Sequence, residues 1–357
     1  MIFADVVGHQ HVIGLLAGAV ARDTLPPSLI FSGPPRVGKA AVTSALAQLL
    51  NCERLSDSER AYAVDACGEC QTCRRLAKAT ELAKKGPGRM AVDCLQWLSP
   101  DEKASIKIEP VREVLGRAAF RPFDGRRRLV VIEDAECLEV PAQQALLKML
   151  EEPPSATRFV LLTAKPHALL ATIRSRCPQL RFAPLPAREI AQALVGRYGW
   201  PSEEAERAAA TADGSLGVAL DRQRGQGDAE RQLTAAVLER VAQSRSAADR
   251  LEAAQVFVGK ADGPKGAGAR KGAVTRQQVL ARLDLMAALL RDISALSAMS
   301  DSRCVQHVDL AARLQRLVSA FGAERSIRAF EAVDRARTAL ERNASQKVVA
   351  DWLALNL

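Results

Sequence analysis

The stretch Gly33–Ala40, GPPRVGKA, has the G-x-x-x-x-G-K spacing of a phosphate-binding loop and lies between a short apolar run and a series of helix formers. In such a loop, backbone N–H groups and the following helix N-terminus face phosphate, while the lysine, here Lys39, reaches the terminal phosphates. The residue after the lysine is normally Ser or Thr, whose hydroxyl ligates Mg²⁺, but this chain has Ala40. Arg36 adds bulk where the backbone should approach the ligand, between Gly33 and Gly38. The loop therefore predicts a degenerate nucleotide site, with a simple strand-to-helix turn as the alternative.

The acidic end of the apolar run Leu129–Ile132 is the second candidate for nucleotide chemistry. It should supply a metal contact and then the residue that positions water. Glu133 and Asp134 occupy these two places, in the reverse of the usual order. Each exchange moves a carboxylate by one methylene, about 1 Å, and a misplacement of that size can lower a rate by ~10²-fold. The pair predicts impaired hydrolysis.

Four of the eight cysteines, Cys52, Cys67, Cys70 and Cys73, fall within 22 residues. Clustered cysteines in a cytosolic chain favour metal binding over disulfides. Four thiolates complete the tetrahedral coordination of a structural zinc ion and leave no open position for catalysis. An iron–sulfur cluster is the alternative. The remaining cysteines are predicted to be small core residues: Cys94, Cys137, Cys177 and Cys304.

Apolar strand-like runs alternate with helical patterns up to residue 183, which indicates a parallel sheet covered on both faces. From Pro184 onward only helical patterns remain, with breaks at 199–201 and 213–214. The Gly-rich segment 224–228 is a predicted linker, and the Gly, Lys and Ala content of 259–273 predicts a mobile loop. At 357 residues the chain is long enough for more than one domain.

The formal charge of +9 and the pI near 9.3 are compatible with nucleic-acid contact. The alternative for the basic clusters is a solvated, charged surface. The clusters are Arg74 with Arg75, Lys84 with Lys85, and Arg126–Arg128. The sequence has no apolar run of about 18 residues and lacks the basic-then-apolar start of a signal peptide, so a cytoplasmic protein without membrane partners is expected.

The segment 143–177, QQALLKMLEEPPSATRFVLLTAKPHALLATIRSRC, resembles the signature of bacterial clamp-loader subunits, which are AAA+ proteins. The phosphate loop, the cysteine module and the helical remainder also follow in that family's order. The resemblance implies a RecA-like α/β domain at 1–183 with a zinc module at about 52–85, then a helical lid at 184–225. A helical collar at 226–357 would assemble with sister subunits of the gamma/tau and delta types. Together they would load a sliding clamp onto primer-template DNA for DNA polymerase III.

Departures from the family's motor subunits concern nucleotide chemistry. Ala40 and the inverted acidic pair are two of them, and the third is Gly217, which stands where motor subunits carry an arginine in the lid. These departures imply a subunit with little or no ATPase activity of its own. The Ser175-Arg176-Cys177 trio is intact. By resemblance, Arg176 would act in trans on nucleotide bound by a neighbour, as a planar guanidinium can. The alternative is that Arg176 pairs with a carboxylate of its own chain.

Two other functions stay open at this point. One is an ATP-hydrolysing motor subunit of the same complex. The other is a zinc-dependent DNA-binding module on a vestigial ATPase fold, for which the basic stretch 74–85, RRLAKATELAKK, would be the recognition helix. That stretch is short and equally typical of a solvated helix that follows a metal site.

Overall fold

The computed structural model describes residues 1–56, 59, 62–83, 92–101, 105–223, 226–244, 246–259, 274–299, 305, 307, 310–342 and 344–357. The chain divides into two compact units, Met1–Ala219 and Leu220–Leu357. The predicted mobile loop, apart from Gly259, lies outside the described residues, as do Lys84, Lys85 and Cys304.

The first unit contains a five-stranded sheet in which every neighbouring pair is parallel, in the order β2-β3-β4-β1-β5. Its strands are β1 (Ser28–Ser32), β2 (Leu95–Leu98), β3 (Arg128–Ile132), β4 (Thr157–Thr163) and β5 (Gln179–Arg181). Its helices are α1 (Gln10–Ala21), α2 (Lys39–Asn51), α3 (Gln71–Ala83), α4 (Ile108–Ala118), α5 (Val140–Glu151), α6 (Ala171–Arg176), α7 (Ala187–Tyr198), α8 (Ser202–Ala210) and α9 (Leu216–Gln223), the last of which crosses into the second unit.

The four longer strands are apolar almost throughout because both faces of the sheet are covered. In β1, Phe31 faces a core shared with α1, α2 and α3, whereas Ile30 faces a second core shared with α4, α5 and α6. The same alternation holds in β3 for Val131 and Val130. The predicted parallel α/β sheet is confirmed.

After β5 the first unit is helical, as the sequence predicts. Helix α7 ends at Gly199, whose φ of 69° lies in the left-handed region, and Pro201 precedes α8. Gly214, with a φ of 75°, lies in the turn before α9. Its Cβ, if it had one, would lie 2.4 Å from the Cβ of Pro184, so the turn packs closely on the segment that follows the sheet. We call α7, α8 and the start of α9 the lid.

The second unit is entirely helical among its described residues. Its helices are the end of α9, α10 (Gln226–Gln243), α11 (Ala247–Phe257), α12 (Arg276–Met299), α13 (Ala311–Phe321), α14 (Ala323–Glu341) and α15 (Gln346–Asn356). They share one apolar core, in which Leu238, Leu283 and Leu314 are fully buried. Within the part of the chain that the structure describes, no helix combines the length and apolarity of a membrane span.

The basic cluster Arg126–Arg128 is largely structural. The Arg128 side chain is 3 % exposed, and its Nη2 donates to Oδ1 of Asp93 over 2.7 Å. Arg127 pairs with Asp23 over 3.0 Å. In the Arg74–Arg75 cluster, Arg75 pairs with Asp124. Three of the seven residues in the basic clusters are thus paired with carboxylates of this chain.

Candidate functional site

The predicted phosphate loop joins β1 to α2 at the carboxyl edge of the sheet, where ligands of open α/β proteins bind. Gly33 has a φ of 156°, and a Cβ there would lie 2.3 Å from the backbone oxygen of Phe182. Gly38 has a φ of 123°. Arg36 adopts a left-handed φ of 60°, which is uncommon for a residue with a side chain. The loop therefore keeps the glycine geometry of its motif while holding an arginine in a strained position.

Lys39 is turned onto its own loop. Its Nζ donates hydrogen bonds to the carbonyl oxygens of Gly33, over 2.6 Å, and Pro34, over 2.8 Å. The residue is 8 % exposed. Burial lowers the pKa of Lys39, and the nearby carboxylates of Glu136, Asp134 and Glu133 oppose that shift. The ammonium group is satisfied by backbone carbonyls of its own loop.

Ala40 offers no oxygen to a metal ion, and the next hydroxyl in α2 does not replace it. Thr43 lies almost one turn further along the helix, and its Oγ1 donates to the backbone oxygen of Lys39 over 2.9 Å. Its side chain therefore points back into the helix. The loop lacks the hydroxyl ligand that motor-type loops use for Mg²⁺.

The two acidic residues directly after β3, Glu133 and Asp134, have different surroundings. Oε2 of Glu133 accepts hydrogen bonds from Nε1 of Trp97, over 2.8 Å, and from Oγ of Ser99, over 3.2 Å. Asp134 has a left-handed φ of 45°. A third carboxylate, Glu136, accepts a hydrogen bond from the backbone N of Ala164 over 3.1 Å. Glu136 was not predicted as a site residue, although its place four residues after the strand end could have signalled it.

Loss of water around the Asp134 carboxyl, with repulsion from Glu136 and Glu133, raises its pKa to about 6. Its ionised form is therefore disfavoured in the folded chain. We expect Asp134→Asn to stabilise the protein at pH 8 and to have little effect near pH 4. The gain should develop as pH rises from the ordinary value of 3.8 through about 6. The carboxyl loses part of its hydration, but the residue as a whole stays accessible to solvent, so screening should limit the gain to at most about 1 kcal/mol. Thermal unfolding at both pH values measures it, and an equal effect at both would contradict the assignment.

The lid closes directly over the phosphate loop. Gly217, at the start of α9, lies so close to Arg36 that a Cβ built on it would be 2.9 Å from the Arg36 Cβ and 3.1 Å from the Arg36 backbone oxygen. A Cβ within 3.0 Å of another carbon essentially never occurs, so any side chain at position 217 would require Arg36 to shift. The glycine at position 217 therefore allows the lid and the phosphate loop to lie in close contact.

His9 is a further residue of this site that the sequence reasoning missed. Its Nε2 lies 2.9 Å from the backbone oxygen of Val37, a contact that requires a proton on Nε2. Its ring also packs on Phe182, with ring centroids 4.9 Å apart. No motif in the sequence singles out this histidine, since its role depends on a loop 28 residues away.

The predicted cysteine ligands converge. The Sγ atoms of Cys52, Cys67, Cys70 and Cys73 all lie within 4.8 Å of one another, and all seven described cysteines are free thiols. Thiolates at ~2.3 Å from a tetrahedral zinc ion would be about 3.8 Å apart, so the spacing fits a four-sulfur metal site. The local chain forms the site because Cys52 directly follows α2 and Cys73 lies in the first turn of α3.

Backbone N–H groups surround the sulfurs. The N–H of Cys67 donates to Sγ of Cys52, that of Cys70 to Cys67, and that of Cys73 to Cys70, over 3.3–3.5 Å. Burial opposes ionisation of Cys67, but the N–H donors of Cys70 and Glu69 outweigh it and lower its pKa to about 7. Burial raises the pKa of Cys52 and Cys73, so of these three sulfurs only Cys67 is favoured as the thiolate before a metal binds. A metal ion would have to displace the protons of the other two.

The other predicted core cysteines are mostly inside: Cys94 and Cys177 are buried, and Cys137 is partly buried.

Arg176 lies at the last residue of α6, with a 37 % exposed side chain. Its Nη2 is 2.5 Å from Oε1 of Glu151, and its Nη1 donates to the backbone oxygen of Thr172 over 3.0 Å. Ser175 Oγ also donates to Thr172, over 3.1 Å. Within this chain, Arg176 thus makes the ion pair that the sequence left open as its alternative role. The pair is half-exposed, so the guanidinium can exchange Glu151 for another anion at little cost.

A parallel α/β sheet with a glycine-rich loop after its first strand and carboxylates after its third defines a P-loop protein of the RecA-like, AAA+ type. Residues 8–186 match the family described as DNA polymerase III, delta subunit. The chain belongs to this family, which confirms the predicted resemblance.

The relatives of this chain include delta' subunits and tau or tau/gamma subunits of DNA polymerase III. The DNA polymerase III subunit delta' of Pseudomonas aeruginosa is 35 % identical over 239 residues, covering 67 % of this chain and 66 % of that protein. Subunit tau/gamma of Haemophilus influenzae is 32 % identical over 193 residues, covering 54 % of this chain but 25 % of that protein. The chain thus spans about a quarter of the length of the tau and tau/gamma relatives that it matches. Among solved structures, a gamma subunit-related protein of Thermotoga maritima aligns over 96 % of this chain and 98 % of its own, with 17 % identity and a TM-score of 0.42.

Proposed function

We propose that this protein is a clamp-loader subunit of the delta-prime type in DNA polymerase III. In this proposal it helps a multi-subunit loader place a sliding clamp on primer-template DNA in the cytoplasm. It does not turn over ATP and supplies Arg176 to nucleotide bound by a neighbouring subunit. The partners would be subunits of the gamma/tau and delta types, the clamp, and DNA through the complex.

The observation that carries the proposal is the contact between Gly217 and Arg36. Arg36 gives the phosphate loop a strained, left-handed backbone, and the lid that contacts it has Gly217 where the family resemblance implies an arginine. Both features disfavour ATP hydrolysis at this site. The absent hydroxyl at Ala40 and the self-bonded Lys39 act in the same direction. By contrast, the sequence elements that would act on a neighbour, Ser175 and Arg176, keep the family pattern.

ATP turnover tests the proposal directly. We expect the isolated chain to hydrolyse ATP no faster than a Lys39→Ala variant, with or without Mg²⁺. Ala40→Thr and Gly217→Arg, alone or combined, should not restore turnover. The threonine leaves the acidic pair inverted, and the arginine would require Arg36 to shift.

Steady-state phosphate release and equilibrium binding of a nucleotide analogue, for each variant, measure these expectations. Mg²⁺-dependent turnover that Lys39→Ala abolishes would instead support the alternative function, an ATP-hydrolysing motor subunit of the same complex. The similarity to tau/gamma relatives makes that alternative worth measuring.

The four cysteines are proposed to hold one structural zinc ion. Four sulfurs complete its coordination, so the metal would fix the local fold and take no part in catalysis. The further alternative, a zinc-dependent DNA-binding module, is less well supported because Arg75 is already paired with Asp124. Salt-dependent binding of this chain alone to a duplex, lost in Arg74→Ala, would favour that alternative.

A further inference from the structure

The first nine residues connect three separate parts of the first unit. We call Ile2–His9 the N-terminal strut. It includes a 3₁₀ turn, Phe3–Asp5, and its middle is held by the buried side chains of Phe3 and Val6. The side chains that contact the strut from the cysteine module and from the lid, Asp65 and Arg197, are different residues, so each contact can be altered separately.

The cysteine module holds the start of the strut. The Asp65 carboxylate accepts hydrogen bonds from the backbone N of Phe3, over 2.9 Å, and of Ala4, over 2.8 Å. The first N–H groups of a helical turn have no partner within the turn, and a carboxylate is a strong acceptor for them. Gly68, between the second and third cysteines, has a φ of 72°, and a Cβ there would lie 3.2 Å from Cγ2 of Ile2. Asp65 and Gly68 both belong to the loop that the cysteines close.

The lid contacts the opposite side of the 3₁₀ turn Phe3–Asp5. Arg197 of α7 donates through Nη2 to the backbone oxygen of Ala4 over 2.8 Å and through Nη1 to that of Asp5. Gly8, with a φ of 68°, is in closer contact: a Cβ on it would lie 2.3 Å from Cδ2 of Leu185 and 3.1 Å from Oε2 of Glu189. The strut therefore contacts the lid at its 3₁₀ turn, through Arg197, and near its end, where Gly8 lies close to Glu189 of α7.

The strut ends at His9, whose contact with Val37 links it to the phosphate loop. In the turn Phe3–Asp5, backbone N–H groups thus donate hydrogen bonds to the cysteine module, and backbone carbonyl oxygens accept hydrogen bonds from the lid. Because such a short turn moves as a unit, loss of one set of contacts weakens the other.

We infer that the cysteine module positions the lid through the N-terminal strut, with Asp65 and Arg197 as the positioning residues. The metal that we propose for the cysteines would then stabilise a lid to which it makes no direct contact. The inference rests on the proposed structural metal only for the effect of metal removal, since the Asp65 and Arg197 contacts can be tested without it.

Amide hydrogen exchange of the full chain, with zinc content measured on the same samples, tests this inference. We expect Asp65→Ala to keep its zinc and its overall melting temperature within a few degrees. It should nevertheless speed exchange in residues 3–6 and in α7 by about threefold to tenfold, the effect of losing one or two hydrogen bonds. Chelation of zinc under reducing conditions should speed exchange in the same two segments as well as in 62–83.

Arg197→Ala should speed exchange in α7 and in residues 3–6, with a much smaller effect on 62–83, which the four proposed zinc ligands hold independently. Arg197→Lys should fall between it and wild type because an ammonium group cannot bond both carbonyls equally well. In the double variant, Asp65→Ala should add little to the α7 effect of Arg197→Ala. Arg188→Ala is the matched control, an exposed arginine on the same helix, and it should change neither segment.

An α7 exchange rate that stays at the wild-type value in Asp65→Ala, with residues 3–6 loosened, would overturn the inference. So would additive α7 effects in the double variant. A chain purified without zinc would refute the proposed metal, and in that case the α7 rate in Asp65→Ala still decides for or against the strut.

Discussion

Replacing Cys70 with serine is expected to remove the metal and to unfold the cysteine module. Cys70 is buried, its N–H donates to Sγ of Cys67, and its own Sγ accepts from the N–H of Cys73, so it links two of the other three cysteines. Structural zinc binding to small sites amounts to ~10–16 kcal/mol and is coupled to folding, so loss of one ligand should abolish stable binding. We expect elemental analysis to fall from one zinc per chain to a small fraction, with rapid exchange over residues 52–83.

Cys94→Ser provides the matched control for that variant. Cys94 is fully buried in the same apolar core, but it does not belong to the four-sulfur cluster. It should lose about 1–3 kcal/mol of stability, because a hydroxyl replaces a thiol in an apolar place, and it should keep its zinc. Residues 220–357 should keep their exchange protection in both variants. Iron in the native protein, or zinc retained by Cys70→Ser, would contradict the proposed site.

The other large effect is expected for Arg176→Ala in the assembled clamp loader. Arginine fingers contribute ~10³–10⁵ in rate in the best cases, and here one site among several would be lost, so we expect about a tenfold decrease in DNA-stimulated ATP hydrolysis and in clamp loading. Arg176→Lys should rescue poorly, because an ammonium group lacks the planar two-pronged contact. The variant chain should fold and assemble normally, since an exposed ion pair contributes only about 0–1 kcal/mol.

Glu151 makes the Arg176 experiment decisive. If Arg176 served only its own chain, Glu151→Gln and Arg176→Ala would break the same pair and give the same small change in stability, with no change in the complex. If Arg176 acts on a neighbour, Glu151→Gln should leave hydrolysis near the wild-type rate, because the guanidinium is retained. Arg174→Ala, a second change on α6, should be mild. Equal rates for wild-type and Arg176→Ala complexes at matched assembly would show that the trans role is wrong.

The sequence by itself determined those features that depend on short-range pattern. The cysteine spacing predicted a four-sulfur site because ligands that close one short loop must converge when it folds, and their Sγ atoms do. Apolar runs buried on both faces predicted the parallel sheet, and β1, β3 and β4 are those runs. The loss of the Mg²⁺-ligating hydroxyl at Ala40 could also be predicted without the structure, since alanine offers no oxygen in any conformation.

Only the tertiary structure decided which distant groups meet. Lys39 turns toward Gly33 and Pro34 because the loop's conformation aims those carbonyls at it. Gly217 contacts Arg36 across 181 positions of chain, through the packing of the lid. Arg128, whose cluster was interpreted as a nucleic-acid contact or a solvated surface, is buried because it belongs to β3. Charge and periodicity indicate which residues can pair or be buried. Which partner each one has depends on the crossovers that bring remote segments together, and the packing of the whole unit fixes those crossovers.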